Sequence, residues 1–448
     1  MSTVPNAALA KGRQLAEGKW RKLVESIDEE DSRHLTALLL ENTDDFIQNL
    51  EEDVRLQNIG SFDKFIFPIV RAVFPNLIAK DIVSVQPMTG PTSMVFYMDA
   101  IYGTSKGGVT AGDTMFSARQ GHLADDQYSS ELVDGESLAV TDTKVSAGTL
   151  AFGSCRPNTL VITQGAITGR DNGIGGITGT GVSAGTINYA TGAYSITYTA
   201  DPGDGTAVSA TYRYNSEGSS NIPIIDFNLS QTPVVAHPHK LRGRWSVEAA
   251  TNLKAIHGMD AESEIVSLLS EKIRWDIDRS IISDLFQIAG AGSVTWNKPA
   301  PAAVSYNDHK QTFIDALIEA SNLIFRATRR GTGNFVVCGT NVSNVIESLY
   351  GFRPQAVAGN GVVFIGTLQG RWSIYKDPYM DADSFLVGWK GNSFMEAGYV
   401  FAPYVPLYTT PTYTLDDMLV RKAMMSSYAK KSINSLFYST GTITYVTS

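Results

Sequence analysis

The chain has 448 residues, which is long for one compact domain and predicts two to four structural units. Hydrophobic residues make up 43% and charged residues 18%, values typical of globular proteins, which exclude overall disorder. The net charge is −9, so the chain lacks the excess of basic residues with which proteins bind nucleic acid. A DNA-binding function is therefore disfavoured.

The cysteine content and the length of the apolar runs indicate the cellular compartment in which the chain folds. Cys155 and Cys338 lie far apart, so a disulfide framework and a Cys-rich metal site are excluded, and the usage fits a reducing cytoplasm. The first residues lack the apolar core of a signal peptide. No apolar run reaches the roughly 18 residues needed to cross a bilayer, so no membrane partner is predicted.

Apolar residues at helical spacing predict two helices within residues 6–58, with a break near Thr43. Asp31 and Ser32 are candidate N-caps of the second helix. The pattern is typical of a packed amphipathic pair. The alternative is an arm or removable leader that docks on a partner.

Residues 60–98 form an apolar segment in which prolines prevent a long helix. The pattern predicts a short helix at Pro68–Val73 and then an extended segment from Ile78. A turn at Met88–Pro91 and a strand at Ser93–Asp99 are predicted to follow. Residues 100–133 are polar and contain several glycines. They are therefore predicted to form an exposed excursion, a long hairpin or loop.

Residues 134–216 have little charge and are dominated by Gly, Thr, Ala and Ser. Four alternating runs predict strands: Leu160–Thr163, Thr186–Tyr189, Ala193–Tyr198 and Ala207–Tyr214. Tight turns are predicted at Ala190–Gly192 and Asp201–Gly205. Closely spaced short strands with turn signals predict a small inserted β-sandwich.

Strand-like and irregular sequence over residues 222–258, including Ile225–Leu229 and Trp245–Val247, precedes the strongest helical pattern. That helix is predicted to be capped by Asp260 and ended by Gly290, giving a scaffold rod of about 45 Å. The remaining elements are predicted helices at 310–329 and Val342–Leu349, and predicted strands at Asn334–Cys338, Val362–Ile365, Ser373–Lys376 and Ser384–Trp389.

Two groups of side chains are weak candidates for metal sites. The sequence His237-Pro238-His239 has no cysteine or acidic cluster near it, so a metal role is disfavoured. The acidic residues Asp377, Asp381 and Asp383 are more typical of an exposed turn than of a cation site.

Other motifs also lack the residues that a catalytic or binding site requires. The glycine run from Gly173 to Gly181 lacks a following helix and a Gly-Lys-Ser/Thr sequence, so it predicts a flexible loop between strands. Cys338 ends an apolar strand and is predicted to be buried, not nucleophilic. No catalytic, cofactor-binding or metal residue is predicted, and neither is an enzyme or a cofactor.

Three stretches carry a family resemblance. They are RAVFPNLIAKDIVSVQPMTGPTSMVFYM (Arg71–Met98), NLKAIHGMDAESEIVSLLSEKI (Asn252–Ile273) and GTLQGRWSIYKDPYMDADSFLVGWKG (Gly366–Gly391), the last followed by FAPYVPL (Phe401–Leu407). In sequence and order they resemble the major capsid (head) proteins of T-even-like tailed bacteriophages. The resemblance implies an α+β, HK97-like capsid fold, into which an immunoglobulin-like β-sandwich is inserted.

The resemblance also implies a domain assignment. Residues 1–58 are then an N-terminal helical arm or leader, 59–99 the start of the P-domain and 100–133 the E-loop region. Residues 134–216 are the inserted β-sandwich. Residues 217–310 are the P-domain with its spine helix at 260–289, and 311–448 are the A-domain with remaining P-domain strands. Family members are usually cut after an acidic residue by a maturation protease. Glu41 and Glu52 are the candidate cut sites.

The implied function is a structural major capsid protein that self-assembles into hexamers, and into pentamers, of an icosahedral or prolate shell around phage DNA. The implied partners are further copies of the chain, a scaffold, the maturation protease, the portal, decoration proteins, and packaged DNA contacted without sequence specificity. The implied location is the virion capsid, assembled in the host bacterial cytoplasm. The alternatives are a vertex protein of the same family that forms only pentamers, and a carbohydrate-binding phage surface protein.

Overall fold

The computed structural model describes residues 6–25, 27, 30–53, 77–106, 109–115, 126–138, 144–200, 208–217, 221–302, 304–355, 361–391, 396, 398–414 and 419–445. The chain divides into two compact units. Unit 1 comprises Met1–Met98 and Leu229–Ser448, and unit 2 comprises Asp99–Asn228.

The helices of the described residues are α1 (Asn6–Glu17), α2 (Arg21–Val24), α3 (Glu30–Asp53), α4 (Ala79–Ile82), α5 (Asp126–Ser129), α6 (Val247–His257), α7 (Ala261–Ile288), α8 (Tyr306–Gln311), α9 (Phe313–Thr328) and α10 (Thr340–Ile346).

The strands of the described residues are β1 (Ser84–Val85), β2 (Thr92–Tyr102), β3 (Leu132–Leu138), β4 (Val145–Thr149), β5 (Val161–Gln164), β6 (Ile167–Asp171), β7 (Ile177–Thr180), β8 (Val182–Ile187), β9 (Ala193–Tyr198), β10 (Val208–Arg213), β11 (Ile225–Val235), β12 (His237–Ser246), β13 (Ser293–Asn297), β14 (Phe335–Cys338), β15 (Phe352–Pro354), β16 (Val363–Leu368), β17 (Trp372–Lys376), β18 (Ser384–Gly388), β19 (Tyr399–Thr409), β20 (Tyr413–Thr414), β21 (Leu419–Ser432) and β22 (Tyr438–Thr444).

The first sheet of unit 1 runs in the order β1-β19-β21-β12, with β20 also paired to β21. Its central strand β19 contains Pro403 and Pro406, although proline cannot donate to a strand ladder. The pairing of β19 with β21 is irregular between Pro403 and Val405 and again between Val405 and Tyr408. The prolines therefore lie at bulges, where a missing N–H costs least.

The second sheet of unit 1 has seven strands in the order β13-β22-β18-β14-β17-β16-β15. Helix α9 supplies five buried side chains to the core that includes this sheet: Phe313, Ala316, Leu317, Ala320 and Ile324. These residues recur at intervals of three and four, so one face of the helix packs inward. The strands predicted between residues 334 and 389 are confirmed.

Helix α7 is the longest helix of the described residues. Its 28 residues make a rod of about 42 Å. Ile273, Ile277, Ile281 and Leu285 repeat every four residues and are buried, as the spacing predicted. Leu268 of the same helix is exposed instead.

The ends of α7 differ slightly from the prediction. Asp260 occupies the N-cap position, but its side chain makes no capping hydrogen bond. At the other end the C-cap is Ala289 and not Gly290, because Ala289 already leaves helical geometry at ψ 109°. The amide of Gly290 instead donates to Ser435 O at 2.9 Å.

Helices α1, α2 and α3 form a layer of unit 1, so the prediction of two helices is confirmed, with an additional helical turn between them. Trp20 and Leu39 are buried in the same core cluster as Phe401 of β19. The predicted break near Thr43 is wrong. Helix α3 continues through Thr43, whose hydroxyl is satisfied by donation to Leu39 O at 2.8 Å.

Unit 2 contains a five-stranded sheet in the order β3-β10-β5-β6-β7 and a three-stranded sheet in the order β4-β9-β8. Side chains of both sheets share one buried core that includes Ile162, Ile196 and Tyr212. This is the arrangement of a small two-layer β-structure. The immunoglobulin-like assignment stays a prediction, and the compact unit is wider than residues 134–216.

The excursion preceding these sheets folds back on itself. Antiparallel bridges join Ile101 to Thr114 and Lys106 to Val109. The ammonium of Lys106 is buried, donates to Tyr128 O at 3.1 Å, and lies 4.9 Å from the centre of the Tyr214 ring. Such contacts compensate a buried cation only in part, and desolvation lowers the pKa of Lys106.

Three local predictions in unit 1 are wrong. The extended segment predicted from Ile78 begins with α4 at Ala79. The strand-like stretch predicted at Trp245–Val247 is confirmed only to Ser246, the end of β12. Helix α6 begins at Val247, where the sequence was predicted to be strand-like or irregular, because Ser246 caps it by accepting the amide of Ala249 at 3.1 Å. Asp31 and Ser32 cannot be N-caps, since α3 already begins at Glu30. The predicted helix at 68–73 and turn at 201–205 lie outside the described residues.

Candidate assembly surfaces

Among the described residues, no group of three or more His, Cys, Asp and Glu side chains is placed to hold an ion. His237 and His239 lie on β12, and the ring of His239 stacks on Tyr428 with 4.5 Å between centroids. A stacked edge-strand histidine needs no metal to explain its position.

The three acidic residues of the predicted turn act as internal hydrogen-bond acceptors. Asp377 accepts the amide of Tyr379 at 2.8 Å, and Asp381 accepts the hydroxyl of Ser384 at 2.8 Å. Asp377 is buried, and burial raises the pKa of its carboxyl group. The prediction of a wholly exposed acidic turn is therefore wrong at Asp377.

Asp383 accepts hydrogen bonds from the Tyr445 hydroxyl at 2.7 Å and from the Asn341 amide at 2.8 Å. These bonds favour the ionised form and lower the pKa of Asp383. The carboxylate thus fastens the end of β22 and the start of α10 to the turn. All three acids serve the fold of unit 1.

The glycine run does not form a phosphate loop. Asn172 Oδ1 accepts the amides of Ile174 and Gly176 at 3.1 and 2.9 Å, so the loop satisfies its own donors. Gly179 lies inside β7, and the run leads into strand β8 and not into a helix. Cys338 is fully buried as predicted, and burial raises the pKa of its thiol to about 12.

Exposed apolar side chains are concentrated on two strands that pair with each other, β2 and β11. On β2, Met94, Phe96 and Met98 occupy alternate positions and are all exposed, whereas Val95 between them is buried. A strand that is apolar on its outer face as well as its inner one is typical of an interaction surface.

Strand β11 also carries exposed apolar side chains. Phe227 is 77% exposed, and Leu229 and Val235 are also exposed. Large apolar side chains usually lose most of their surface in a folded protein, and scattered exceptions need no explanation. Here the exceptions share a strand, which indicates a surface that is covered in a larger assembly.

Helix α6 is a third exposed element. None of its residues is buried, and Ile256 is 73% exposed. Isolated helices shorter than about 12 residues are marginal in water. The Ser246 cap and the left-handed Gly258 (φ +67°) supply its local stabilisation.

The long helix α7 is fastened to the first sheet of unit 1 by polar contacts as well as apolar ones. Lys422 Nζ lies 2.5 Å from Glu262, and Lys430 Nζ lies 2.8 Å from Asp284. Burial opposes ionisation of Glu262, but the bonds from Lys422 and Thr412 outweigh it and lower its pKa. Tyr399 also donates to Asp284 at 2.6 Å. These contacts make α7 and the sheet one stiff body.

Within the described ranges, no helix combines the length and the apolar character that crossing a membrane requires.

Comparison with known families identifies the family of the chain. A family model described as "Major capsid protein Gp23" matches residues 59–447 of the chain. The chain belongs to this family. Its function is that of a major capsid protein of T4-like phages, which forms the shell of the virion, and its fold is the predicted α+β, HK97-like capsid class.

Individual relatives agree with the family match. The chain is 31% identical over 393 residues to a major capsid protein of Vibrio phage KVP40, covering 80% of this chain and 74% of that one. It is 29% identical over 383 residues to the major capsid protein of Enterobacteria phage T4, covering 76% and 69%.

Solved structures similar to the chain are distant ones. The capsid of Myoviridae phage XM1 has a TM-score of 0.34 at 8% identity, over 52% of this chain and 81% of that one. Mycobacterium phage Patience has a TM-score of 0.35 at 11% identity, over 53% and 76%.

Sequence reasoning missed the exposed surfaces that a shell protein would use. The alternation of Met94, Phe96 and Met98 was visible, but alternation alone does not tell which face is inside. The sequence of helix α6 was predicted to be strand-like or irregular, although Ser246 and Gly258 are a recognisable pair of capping residues.

Proposed function

We propose that this major capsid protein assembles into hexamers, and at the vertices pentamers, whose neighbours are joined by the exposed strands β2 and β11 and by helix α6. The observation that supports this is the run of exposed apolar residues on β2 and β11. Contacts of this kind that close on themselves make rings, and rings can tile a shell. The role is structural and requires no catalysis and no cofactor.

The proposed parts follow the family. Residues 1–58 act as the arm or leader, 100–133 as the E-loop region, 260–289 as the spine helix of the P-domain, and 311–448 as the A-domain with remaining P-domain strands. The insert at 134–216 clamps a neighbouring subunit. Support for the spine comes from the length of α7 and its polar attachment to the sheet.

The maturation protease, scaffold, portal and decoration proteins are proposed partners, with assembly in the host cytoplasm. Of the two candidate cut sites, Glu52 is favoured over Glu41. Glu41 lies in the middle of α3, and its carboxylate accepts the indole N–H of Trp20 at 2.7 Å and binds Lys19 at 3.1 Å. Glu52 is one residue from the end of α3, where less helix must open.

Electron cryomicroscopy of purified protein and of particles from infected cells tests the proposal. We expect icosahedral or prolate shells in which this chain forms the hexamers. A chain found only at the vertices would make it the pentamer-forming relative. Protein that stayed monomeric at high concentration and was absent from shells would contradict the proposal.

A further inference from the structure

Strands β12 and β21 hold an unusual concentration of positive charge. Their 24 residues contain no aspartate or glutamate, although acids outnumber bases in the whole chain. The basic residues of the two strands are Lys240, Arg242, Arg244, Arg421, Lys422, Lys430 and Lys431. Since like charges on neighbouring strands repel, such a segment calls for nearby carboxylates.

One face of the strand pair has those carboxylates within the chain. Lys422 and Lys430 point toward α7 and meet Glu262 and Asp284, as described above. Gly243 lies on the same face, where an added Cβ would meet Ile265 of α7 at 2.6 Å. The cations on the α7 side are therefore neutralised by the long helix.

The other face carries the remaining cations of the paired region. In the register of β12 and β21, Lys240 lies opposite Met425, Arg242 opposite Ala423, and Arg244 opposite Arg421. Opposed residues share a face, so Lys240, Arg242, Arg244 and Arg421 form one surface, here named the basic face. Along β12 the side chains repeat about every 6.7 Å.

The basic face is open where β12 lies. Lys240, Arg242 and Arg244 are exposed, and in the part of the chain that the structure describes no carboxylate lies within ion-pair distance of any of the three. Helix α3 covers this side of the sheet only farther along, where Phe46 meets Tyr408 of β19 at 5.4 Å. Strand β12 is also the last strand of its sheet.

Unit 2 has the complementary charge. Residues 99–228 contain 13 acidic and 6 basic residues, a net charge of −7, which leaves only −2 for the rest of the chain. Among the acids, Asp134, Glu217 and Asp226 have exposed side chains. An acidic unit and three exposed cations that meet no carboxylate of the described residues, Lys240, Arg242 and Arg244, are complementary between copies.

We propose that the basic face binds the acidic surface of unit 2 of a second copy of this chain. The inference rests on the proposed self-assembly and adds the charged contact that directs it. Lysines on an edge strand normally serve to prevent strand pairing. On the opposite face, however, lysines of the same two strands pair with carboxylates of α7. On the basic face, which α7 does not reach, a second copy supplies the carboxylates.

The test is a charge reversal in the full-length chain, Lys240→Glu, Arg242→Glu and Arg244→Glu together. The reversed face would then meet the acidic unit with like charge, so the protein concentration needed for assembly should rise by about tenfold or more. Light scattering and electron cryomicroscopy measure assembly, and circular dichroism checks that the variant is folded. Added salt should weaken wild-type assembly and leave the residual assembly of the variant less affected.

The matched control is Arg326→Glu, Arg329→Glu and Arg353→Glu, three exposed cations of unit 1 that lie outside the proposed arm. It has the same net charge as the reversed-face variant and should assemble like the wild type. A rescue variant combines the reversed face with Asp134→Lys, Glu217→Lys and Asp226→Lys, which restores the net charge of −9 and the complementarity. Assembly should recover in this variant.

Three results would overturn the inference while leaving self-assembly intact. They are normal assembly of the reversed-face variant, equal loss in the control variant, and failure of the rescue in a folded protein. Loss of salt-dependent binding to a DNA duplex with unchanged assembly would assign the basic face to nucleic acid instead. Failure of the wild type itself to assemble would contradict the proposed function and is distinguishable from all of these.

Discussion

A buried carboxylate joins the long helix to the start of α4. Asp278 of α7 is 5% exposed, and its Oδ1 accepts the amide of Ala79 at 3.3 Å. Burial, with a smaller contribution from the charge of Asp81, raises the pKa of Asp278 to about 7, although the bond from Ala79 and the charge of Arg274 act in the opposite direction. The carboxyl therefore titrates near neutral pH.

The sign of the resulting pH dependence follows from linkage. An aspartate side chain has an ordinary pKa of 3.8, whereas that of Asp278 is about 7 in the folded chain, so the folded state holds the proton more strongly. The stability of unit 1 is then greatest below the lower value and falls as pH rises toward 7. Stability falls because ionising the buried carboxyl group of Asp278 costs free energy.

We expect Asp278→Asn to remove this pH dependence. The asparagine oxygen can still accept the amide of Ala79, but no buried charge forms, so the free energy of unfolding at pH 8 should rise by on the order of 2 kcal/mol. At pH 4 the variant and the wild type should be similar. Denaturant unfolding of unassembled subunits across this range measures the effect.

Asp276→Asn is the control, since Asp276 pairs with Lys272 at 2.5 Å with both side chains about half exposed. Exposed pairs of this kind contribute less than about 1 kcal/mol. Parallel pH profiles of Asp278→Asn and the wild type would show that Asp278 is not the titrating group.

At the level of elements, α6 and α7 are neighbours in the chain with opposite environments. Helix α6 has eleven residues and none is buried, whereas α7 has nine buried residues along its length. Most helical stability in proteins comes from packing an apolar face. The two helices should therefore differ strongly in local stability before assembly.

Hydrogen exchange followed by mass spectrometry should show this difference. In free subunits the amides of α6 should open with a free energy near zero, while those of α7 should be protected close to the global value. In assembled shells α6 should become protected, because neighbouring copies cover it. Helix α7 is the internal control, and an α6 that is protected in the free subunit, or still unprotected in the shell, would contradict its assignment to the assembly surface.

At the level of the whole molecule, the β-rich part of unit 2 can be removed without stretching the chain. The amide of Tyr214 donates to Glu131 O at 3.0 Å, so the residues flanking 132–213 are already adjacent. This segment contains the strands from β3 to β10 and their shared core. Its removal should leave the core clusters of unit 1 intact.

Excising residues 132–213 should give a folded subunit whose shells come apart at a temperature several degrees lower, because a proposed clamp and part of the acidic charge are lost. Differential scanning calorimetry of purified shells measures the change. A chain with two residues inserted at the exposed turn after Ala190 is the control for disturbance of unit 2 alone. Shells of the excised chain as heat-resistant as the wild type would show that the segment does not clamp its neighbours.

Local patterns alone determined much of this protein. Spacing predicted α7 and α9, alternation predicted β5, β9 and β10, and three ordered stretches of sequence identified the family. The helix and strand predictions each rest on residues that are close in the chain. Periodicity is a local property, so a sequence can report it directly.

Tertiary structure decided the rest. The basic face exists because Arg242 and Ala423, almost two hundred residues apart, are opposed in one strand pair, and no local pattern records that register. The outer face of β2 and the exposure of α6 depend likewise on what the rest of the chain leaves uncovered. Burial and charge neutralisation are properties of long-range packing, so only the folded chain determines which apolar and basic residues remain for a partner.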